Sequence, residues 1–405
     1  MNKPVLKTEA TSPRPLNAMF VLTSLPVGGA ETLLRNLTRT FNPERIRPLV
    51  CCLKEPGELG EQIAAEVPLY SRMLRGKYDV FVLQRLSRLF RREKVDAVVT
   101  VGAGDKMFWG RLAARLARVP VILSALHSTG WPDGVGRLNR MLTPITDGFI
   151  AVARPHGQFL VEFEKFPQDK VFVIPNGIDT QQFVRDSALR AEWRRAWDLG
   201  NESPVVGIVA AIRPEKNHLR FLRIARRVAD QLPAARFVIA GDGPERTRIE
   251  QEIAQLGLGQ SVRMLGTVQN IPAVLSMLDL FALTSDNEAS PVSILEAMSC
   301  QLPVVAPRVG SIPELVRPDL TGLLVDAADE AAAAEAWLRV LRNPERSQAW
   351  GKAGRGHVQA NGSLQSMTEG YEILISTLYQ AKQWRGNRTM ATGRPEARLN
   401  RVAKA

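Results

Sequence analysis

Residues 278–326 read LDLFALTSDNEASPVSILEAMSCQLPVVAPRVGSIPELVRPDLTGLLVD. The stretch opens on an apolar run, LDLFALTS (278–285), too short for a buried helix. A polar turn follows, and then PVSILEAMSC (291–300) reads as a helix. Two more short runs close it, LPVVAP (302–307) and TGLLVD (321–326). The runs are rich in Val, Ile and Leu and alternate little with polar residues, as strands of a parallel sheet covered on both faces do. Strand, helix and strand in this order predict an α/β layer with a parallel sheet.

Working outward, the pattern continues. Upstream lie PVVGIVAA (204–211), ARFVIAG (235–241) and SVRMLG (261–266), completing one series of six runs. An earlier series comprises AMFVLTS (18–24), RPLVCCL (47–53), VDAVVTV (95–101), VPVILSA (119–125), GFIAVA (148–153) and VFVIPNG (171–177). Helical-period stretches such as GDKMFWGRLAARLARV (104–119) separate the runs. Between the two series, residues 180–203 are polar and charged with no strand-like run, which suits a linker and first crossover. With 405 residues, two domains of ordinary size are expected. The boundaries predicted are a disordered tail over 1–16, one Rossmann-like half over 17–185, a second over 186–362, and a basic disordered tail over 384–405. Ligands of open α/β sheets bind beyond the carboxyl ends of the strands, so a cleft between the halves is the expected site.

Composition narrows the function classes. Hydrophobic residues make up 45% and charged residues 23%, the balance of a globular protein, which excludes a disordered or collagenous chain. Lys and Arg total 53 against 41 Asp and Glu, a net charge of +12, which favours anionic partners. The three cysteines, Cys51, Cys52 and Cys300, form no CxxC, so neither a disulfide framework nor a zinc site is indicated and a reducing compartment fits. No run approaches a membrane span, and the polar, Pro-interrupted start lacks a secretory signal. A cytoplasmic location is expected.

Several motifs fall at strand ends. Ser290 is a suitable N-cap and Pro291 a suitable first helical residue, which would leave the amides of Val292 and Ser293 open to an anion. Glu296 follows them by one helical turn, on the face below those amides, where a carboxylate could accept hydrogen bonds from ribose hydroxyls. Glu288 stands on the loop ahead of the helix. The same spacing equally suits a capped core helix with two solvated carboxylates. Gly28 and Gly29 follow the first strand, where the backbone could approach a phosphate or sugar closely, although any tight turn of this kind uses glycine. Arg213 and Lys216 follow the strand at 204–211. Two cations there suit a diphosphate leaving group, while solvated loop charges are the commoner fate of such a pair. His127 follows the strand at 119–125 and could donate to a substrate hydroxyl or carbonyl; a lone histidine is more often structural. No metal-ligand spacing and no Asp-x-Asp occurs, so no metal is expected, and Asp286 with Glu288 would be a poor carboxylate clamp. GAGDKM (102–107) lacks the third glycine of a dinucleotide fingerprint, and there is no P-loop.

Taken in order, GGAE (28–31), His127, PNGID (175–179), RPEKN (213–217), GDGPER (241–246), NEASPVSILEA (287–297), IPELV (312–316) and TGLLV (321–325) resemble glycosyltransferase family 4, whose fold is GT-B: two Rossmann-like doubly wound domains facing across a cleft. The resemblance implies a metal-independent, retaining transfer from a nucleotide-diphosphate sugar to a saccharide or lipid-linked acceptor, in exopolysaccharide, capsule or lipopolysaccharide assembly. The first domain would bind the acceptor and the second the nucleotide sugar, and a helix over 363–383 would cross back to the first. Glu296 would bind the donor ribose and Glu288 the sugar hydroxyls. Lys216 would neutralise the diphosphate, with Gly28 and Gly29 approaching it. His127 would touch the transferred sugar, and Ser290, Val292, Ser293, Gly241 and Gly243 would complete the donor site. Two positions depart from the family. Ala211 stands five residues before Lys216, where an arginine is usual, and Arg213 is the candidate replacement. Ala289–Ser290 replaces the glycine and bulkier residue common on the sugar-facing loop.

A sugar-nucleotide 2-epimerase of the same fold is the alternative enzyme. A basic nucleic-acid-binding protein is the alternative of another class, but aromatics are only 6% and no nucleic-acid signature is present. Finally, Arg72–Lys94 carries eight cations against two anions, a net +6, with Val82, Leu83, Leu86, Leu89 and Phe90 at helical spacing. That predicts a helix with its apolar face on the sheet and its cations turned toward an anionic membrane surface, a peripheral attachment on the inner face of the cytoplasmic membrane. A core helix with a solvated basic face is the commoner outcome.

Overall fold

The computed structural model describes residues 14–25, 29–76, 79–102, 105–127, 140–200 and 202–386. The chain forms two compact units. One holds the chain up to Val152, Gly157–Ile174 and the chain from Met367; the other holds Ala153–His156 and Pro175–Ser366.

The first unit is built on a seven-stranded sheet: β1 (Leu16–Leu22), β2 (Ile46–Cys52), β3 (Leu69–Tyr70), β4 (Ala97–Val101), β5 (Val121–Ala125), β6 (Gly148–Ala151) and β7 (Val171–Val173). The order is β3-β2-β1-β4-β5-β6-β7, and every pairing is parallel. All seven residues of β1 are buried, which is why its sequence shows no polar alternation. From Met367 the last helix, Leu364–Gly386, belongs to this unit. Tyr371 lies 6.3 Å from Phe20, Glu372 accepts from the Asn42 amide at 2.7 Å and pairs with Arg45, and Lys382 pairs with Asp147 at 2.6 Å.

The second unit has six parallel strands: β8 (Val205–Val209), β9 (Arg236–Ala240), β10 (Val262–Gly266), β11 (Leu280–Ala282), β12 (Val304–Pro307) and β13 (Gly322–Val325), in the order β10-β9-β8-β11-β12-β13. Phe221, Phe237 and Trp337 pack ring to ring at its centre. The polar segment expected as a linker contains a helix, Ser187–Ala196, capped by Asp186, whose carboxylate accepts from the amides of Ala188 and Leu189. Arg190 and the buried Arg194 pin this helix to Asp279, each at 2.6 Å.

All twelve expected runs contain strands, and β3 is an addition, a two-residue edge strand too short to leave a pattern. Several strands end before their apolar run does: β11 stops at Ala282 and β7 at Val173. The change of unit falls at Ile174/Pro175 rather than 185/186, because Ile178 and Phe183 already pack in the core of the second unit. The last helix runs to Gly386, so Trp384 belongs to it rather than to a tail. Of the expected tails, 1–16 and 384–405, residues 1–13 and 387–405 lie outside the described residues, while Arg14 pairs with Asp96 at 2.7 Å and Leu16 already belongs to β1. No described helix is long and apolar enough to cross a membrane.

In each sheet the strand order reverses once, between β1 and β4 and between β8 and β11. At such a point successive connections leave on opposite sides of the sheet, and a crevice opens at the carboxyl ends.

Candidate active site

The reversal point of the second sheet carries the polar side chains singled out above. After β8 the chain makes a single 3₁₀ turn, Pro214–Lys216, and Asn217 follows with φ 48°. Asn217 caps the helix His218–Gln231 by accepting from the Arg220 amide at 3.1 Å. After β11 the chain runs through Leu283, Thr284 and Ser285 to Glu288. The Thr284 hydroxyl donates to the carbonyls of Lys216 and Asn217, and the Asp286 amide donates to the Glu215 carbonyl at 2.9 Å, which lashes the two loops together. Lys216 Nζ then reaches Glu288 Oε1 at 2.6 Å. The Ser285 hydroxyl donates to the same oxygen at 2.7 Å. Glu288 is only 7% exposed, so its charge is held by these two partners rather than by water. Ser285 is not among the sequence candidates, because it acts only by touching another side chain.

The following helix, Val292–Ser299, starts one residue later than expected. Pro291 is its N-cap and Ser290 makes no cap bond, because Pro291 has the extended backbone, with ψ 110°, that a cap requires. The amides of Val292 and Ser293 have no acceptor among the described residues, whereas Ile294 already donates to the Pro291 carbonyl. This helix end therefore presents two open donors and the positive end of its dipole. One turn on, Glu296 is half-buried and makes no side-chain hydrogen bond or ion pair among the described residues. Burial pushes its pKa up to about 7. A carboxylate kept so poorly solvated is one that hydroxyl donors would stabilise.

Arg213 is exposed and unpaired among the described residues, beside the equally exposed Ala211. Gly241 and Gly243 have a packing reason of their own. Gly241 has φ 145°, and a Cβ there would stand 2.0 Å from the Ala210 carbonyl; at Gly243 it would stand 2.3 Å from the Ile212 carbonyl. These glycines let the end of β9 lie against the loop after β8, and nothing in their geometry requires a donor. Asp286 is engaged by Arg220 at 2.7 Å and by Asn217, so it is not available as half of a carboxylate clamp. Among the described residues no three His, Cys, Asp or Glu side chains come together as a metal set.

The remaining candidates belong to the first unit. Gly29 opens the helix Gly29–Thr40, and a Cβ there would meet nothing within 4 Å. Gly28 lies outside the described residues. His127 follows β5 and lines a small apolar cavity with Phe20, Val101, Met367 and Tyr371. Of the basic segment, only Val82–Arg92 is helical. Val82, Leu86, Leu89 and Phe90 are buried as expected, while Leu83 is only partly covered. The cations divide. Arg72, Arg85 and Arg92 are tied to Glu55, Asp79 and Glu93, Lys77 lies outside the described residues, and Arg75, Arg88, Arg91 and Lys94 are exposed with no ion pair among the described residues.

Known proteins resemble this chain in sequence and in fold. Residues 27–182 match the family described as Glycosyltransferase Family 4, and residues 190–357 match Glycosyl transferases group 1. The alpha-maltose-1-phosphate synthase of Mycolicibacterium smegmatis is 31% identical over 278 residues, 61% of this chain and 70% of that protein. An Escherichia coli UDP-Gal:alpha-D-GlcNAc-diphosphoundecaprenol alpha-1,3-galactosyltransferase is 27% identical over 308 residues, 72% of this chain and 79% of the other. The crystal structure of Anabaena Alr3699/HepE in complex with UDP and glucose superposes with a TM-score of 0.79 at 19% identity, covering 89% of this chain and all of that one, a likeness of fold. With both sheets reversing where the motifs lie, and with the two matches together spanning 324 of the 405 residues, the chain belongs to glycosyltransferase family 4 and has the GT-B fold.

Proposed function

We propose that the chain is a retaining glycosyltransferase that moves a sugar from a nucleotide-diphosphate sugar to a saccharide or lipid-linked acceptor. The observation that carries this reading is the pair of partly exposed Lys216 and buried Glu288 at the reversal point, on the loop that leads to the open amides of Val292 and Ser293. A diphosphate competes with Glu288 for Lys216, and the carboxylate so released turns to the sugar hydroxyls. Glu296 accepts from the ribose hydroxyls. Lys216, with Arg213 in place of the guanidinium missing at Ala211, stabilises charge on the departing diphosphate. His127 and Gly29 remain candidates for contact with the sugar and the diphosphate. The bond from the anomeric carbon to the diphosphate oxygen breaks while a bond to the acceptor hydroxyl forms on the same face. The leaving phosphate oxygen takes the acceptor proton, so no side chain need act as base.

The relatives support this choice over epimerisation or nucleic-acid binding. The name of the Escherichia coli relative couples a UDP-sugar donor to a diphosphoundecaprenol-linked acceptor. Alr3699/HepE was crystallised with UDP and glucose. For this chain, envelope polysaccharide assembly and a lipid-linked acceptor follow by analogy. The first unit offers a surface to match: exposed Val80, Phe81 and Leu116 line a groove edged by Arg91, with Arg88 unpaired nearby, chemistry suited to an anionic membrane.

The test is a transfer and hydrolysis screen across UDP-, GDP- and ADP-sugars, followed by NMR of the product. An α donor should give an α product, with activity undiminished by EDTA. Inversion would refute retention. Loss in EDTA that Mg²⁺ or Mn²⁺ restores would refute the metal-free step, and interconversion of sugar nucleotides without acceptor would establish the epimerase instead.

A further inference from the structure

Asn176 has no role in the site as built above, yet it holds the loop that joins Glu288 to the Val292–Ser299 helix. Its side chain is buried, and its Nδ2 donates to the Ser290 carbonyl at 3.1 Å. Among the described residues this is the sole side-chain hydrogen bond to the backbone of residues 289–291. Ala289 and Pro291 are buried, and the carbonyls of Glu288 and Pro291 accept from the amides of Ser311 and Ile294, so the Ser290 peptide is the point that, among the described residues, Asn176 alone holds by a side-chain hydrogen bond. Pro291 has no amide to donate, and the Ser290 hydroxyl does not cap the helix.

The base from which Asn176 reaches is itself rigid. A Cβ on the adjacent Gly177 would stand 2.3 Å from the Ser363 carbonyl oxygen, so only glycine permits this approach. On the far side, the Ile178 amide donates to the Gly362 carbonyl at 2.9 Å and the Leu364 amide to the Ile178 carbonyl at 2.8 Å. Ile178 is thus bridged on both sides of Ser363, Gly177 is pressed against the Ser363 carbonyl, and the amide of Asn176 reaches the loop from beside this anchor.

We propose that Asn176 is a positioning residue for Ala289 and Ser290, and through them for recognition of the transferred sugar. The proposal rests on the reading that this loop faces the sugar. Lys216 and Ser285 hold the Glu288 carboxylate independently of Asn176, and the helix amides follow from the helix itself. Loss of the Asn176 hydrogen bond therefore releases the stretch between them and leaves the diphosphate groups in place. A neutral amide is the right chemistry, since a carboxylate would oppose the Ser290 carbonyl oxygen without a proton to donate.

Calorimetry with pairs of ligands tests this: UDP against UDP-glucose and UDP-galactose, GDP against GDP-mannose, ADP against ADP-glucose. Wild type, Asn176→Ala and the isosteric Asn176→Asp are compared on whichever pair wild type binds; the aspartate fills the same space, so it keeps the test alive if alanine unfolds the chain. Both variants should bind the free diphosphate as wild type does and the sugar conjugate about threefold to tenfold more weakly, the range of one neutral hydrogen bond. Equal weakening of both ligands would assign Asn176 a purely structural role and overturn the proposal, as would unchanged affinity for both. If wild type binds no ligand of any pair, the nucleotide-sugar reading itself falls and takes this proposal with it.

Discussion

The two units place glycines at the carboxyl ends of strands beside their sheet reversals, for opposite reasons. In the second unit Gly241 and Gly243 are pressed against the carbonyls of Ala210 and Ile212, and the binding chemistry proposed above is assigned to the side chains of Lys216, Glu288 and Glu296. In the first unit Gly29 faces open space, and no part of the described chain forbids a side chain there. Packing explains the first pair completely. Packing does not fix Gly29, and Gly76, Gly257, Gly259 and Gly356 face equally open space. On the function proposed above Gly29 serves a ligand, so the glycines of the two units would divide between folding and binding.

The sharpest way to break this division is at Lys216. If the second unit supplies the charge that stabilises the leaving group, Lys216→Ala lowers kcat by about 10²–10³-fold, the range for one preorganised donor. Thermal stability should fall far less, since Ser285 still donates to Glu288. Steady-state kinetics beside a melting curve separates the two effects. A variant with normal kcat would remove Lys216 from the chemistry.

Glu296 comes next. Glu296→Ala should weaken nucleoside diphosphate binding by about 1.5–3 kcal/mol, as for a charged hydrogen bond. Its pH dependence runs in two directions. The carboxyl has a folded pKa of about 7 against an ordinary value of 4.5. Its contribution to the stability of the free protein is therefore present below pH 4.5 and is lost as pH rises through 7. Ribose hydroxyls donate to the ionised form, so diphosphate affinity should rise over the same window. Glu296→Gln should flatten both curves. Affinity independent of pH between 5.5 and 8 in the wild type would contradict the assignment.

The glycines themselves give a smaller and more direct contrast. Gly241→Ala forces a side chain into a left-handed backbone against a carbonyl and should cost about 1–3 kcal/mol in urea denaturation. Gly29→Ala should leave stability within about 0.5 kcal/mol, as for an exposed helix position, and lower donor affinity. Equal loss of stability in both variants would erase the distinction between the units.

How far the sequence revealed these features depends on how local their causes are. The strands were legible because burial on both faces removes polar alternation, as in β1 and β4. Their carboxyl ends were not, because Leu283 and Ile174 stay buried after the ladder stops and so prolong the apolar run. Glu288, Glu296 and Lys216 could be chosen by spacing, since each sits a fixed number of residues from a helix start. Ser285 and Asn176 could not. The first acts by touching another side chain, and the second reaches a carbonyl 114 residues away, so neither leaves a periodic trace. Phe81 was overlooked for a related reason. It stands just before its helix, outside the apolar stripe, and only its 67% exposure in the fold sets it apart from the core residues beside it.

That exposed residue carries the smallest expected effect. The Val82–Arg92 helix buries its stripe in the core of the first unit, so membrane attraction falls to what remains outside: Phe81, Val80 and Leu116 as apolar tips, and Arg75, Arg88, Arg91 and Lys94 as cations. Arg85 and Arg92 are already neutralised by Asp79 and Glu93 and should matter little. A cation near an anionic leaflet contributes about 1 kcal/mol, so Arg88→Gln and Arg91→Gln should each weaken binding to acidic vesicles by about fivefold. Arg85→Gln should not. Phe81→Ser should reduce the part of the binding that survives added salt, because screening acts on the charges and not on apolar insertion. Co-sedimentation with vesicles of phosphatidylglycerol and of phosphatidylcholine, at low and moderate salt, reads both components. Equal binding to the two lipids, or an effect of Arg85→Gln as large as that of Arg88→Gln, would show that charge on this face does not direct the protein to a membrane.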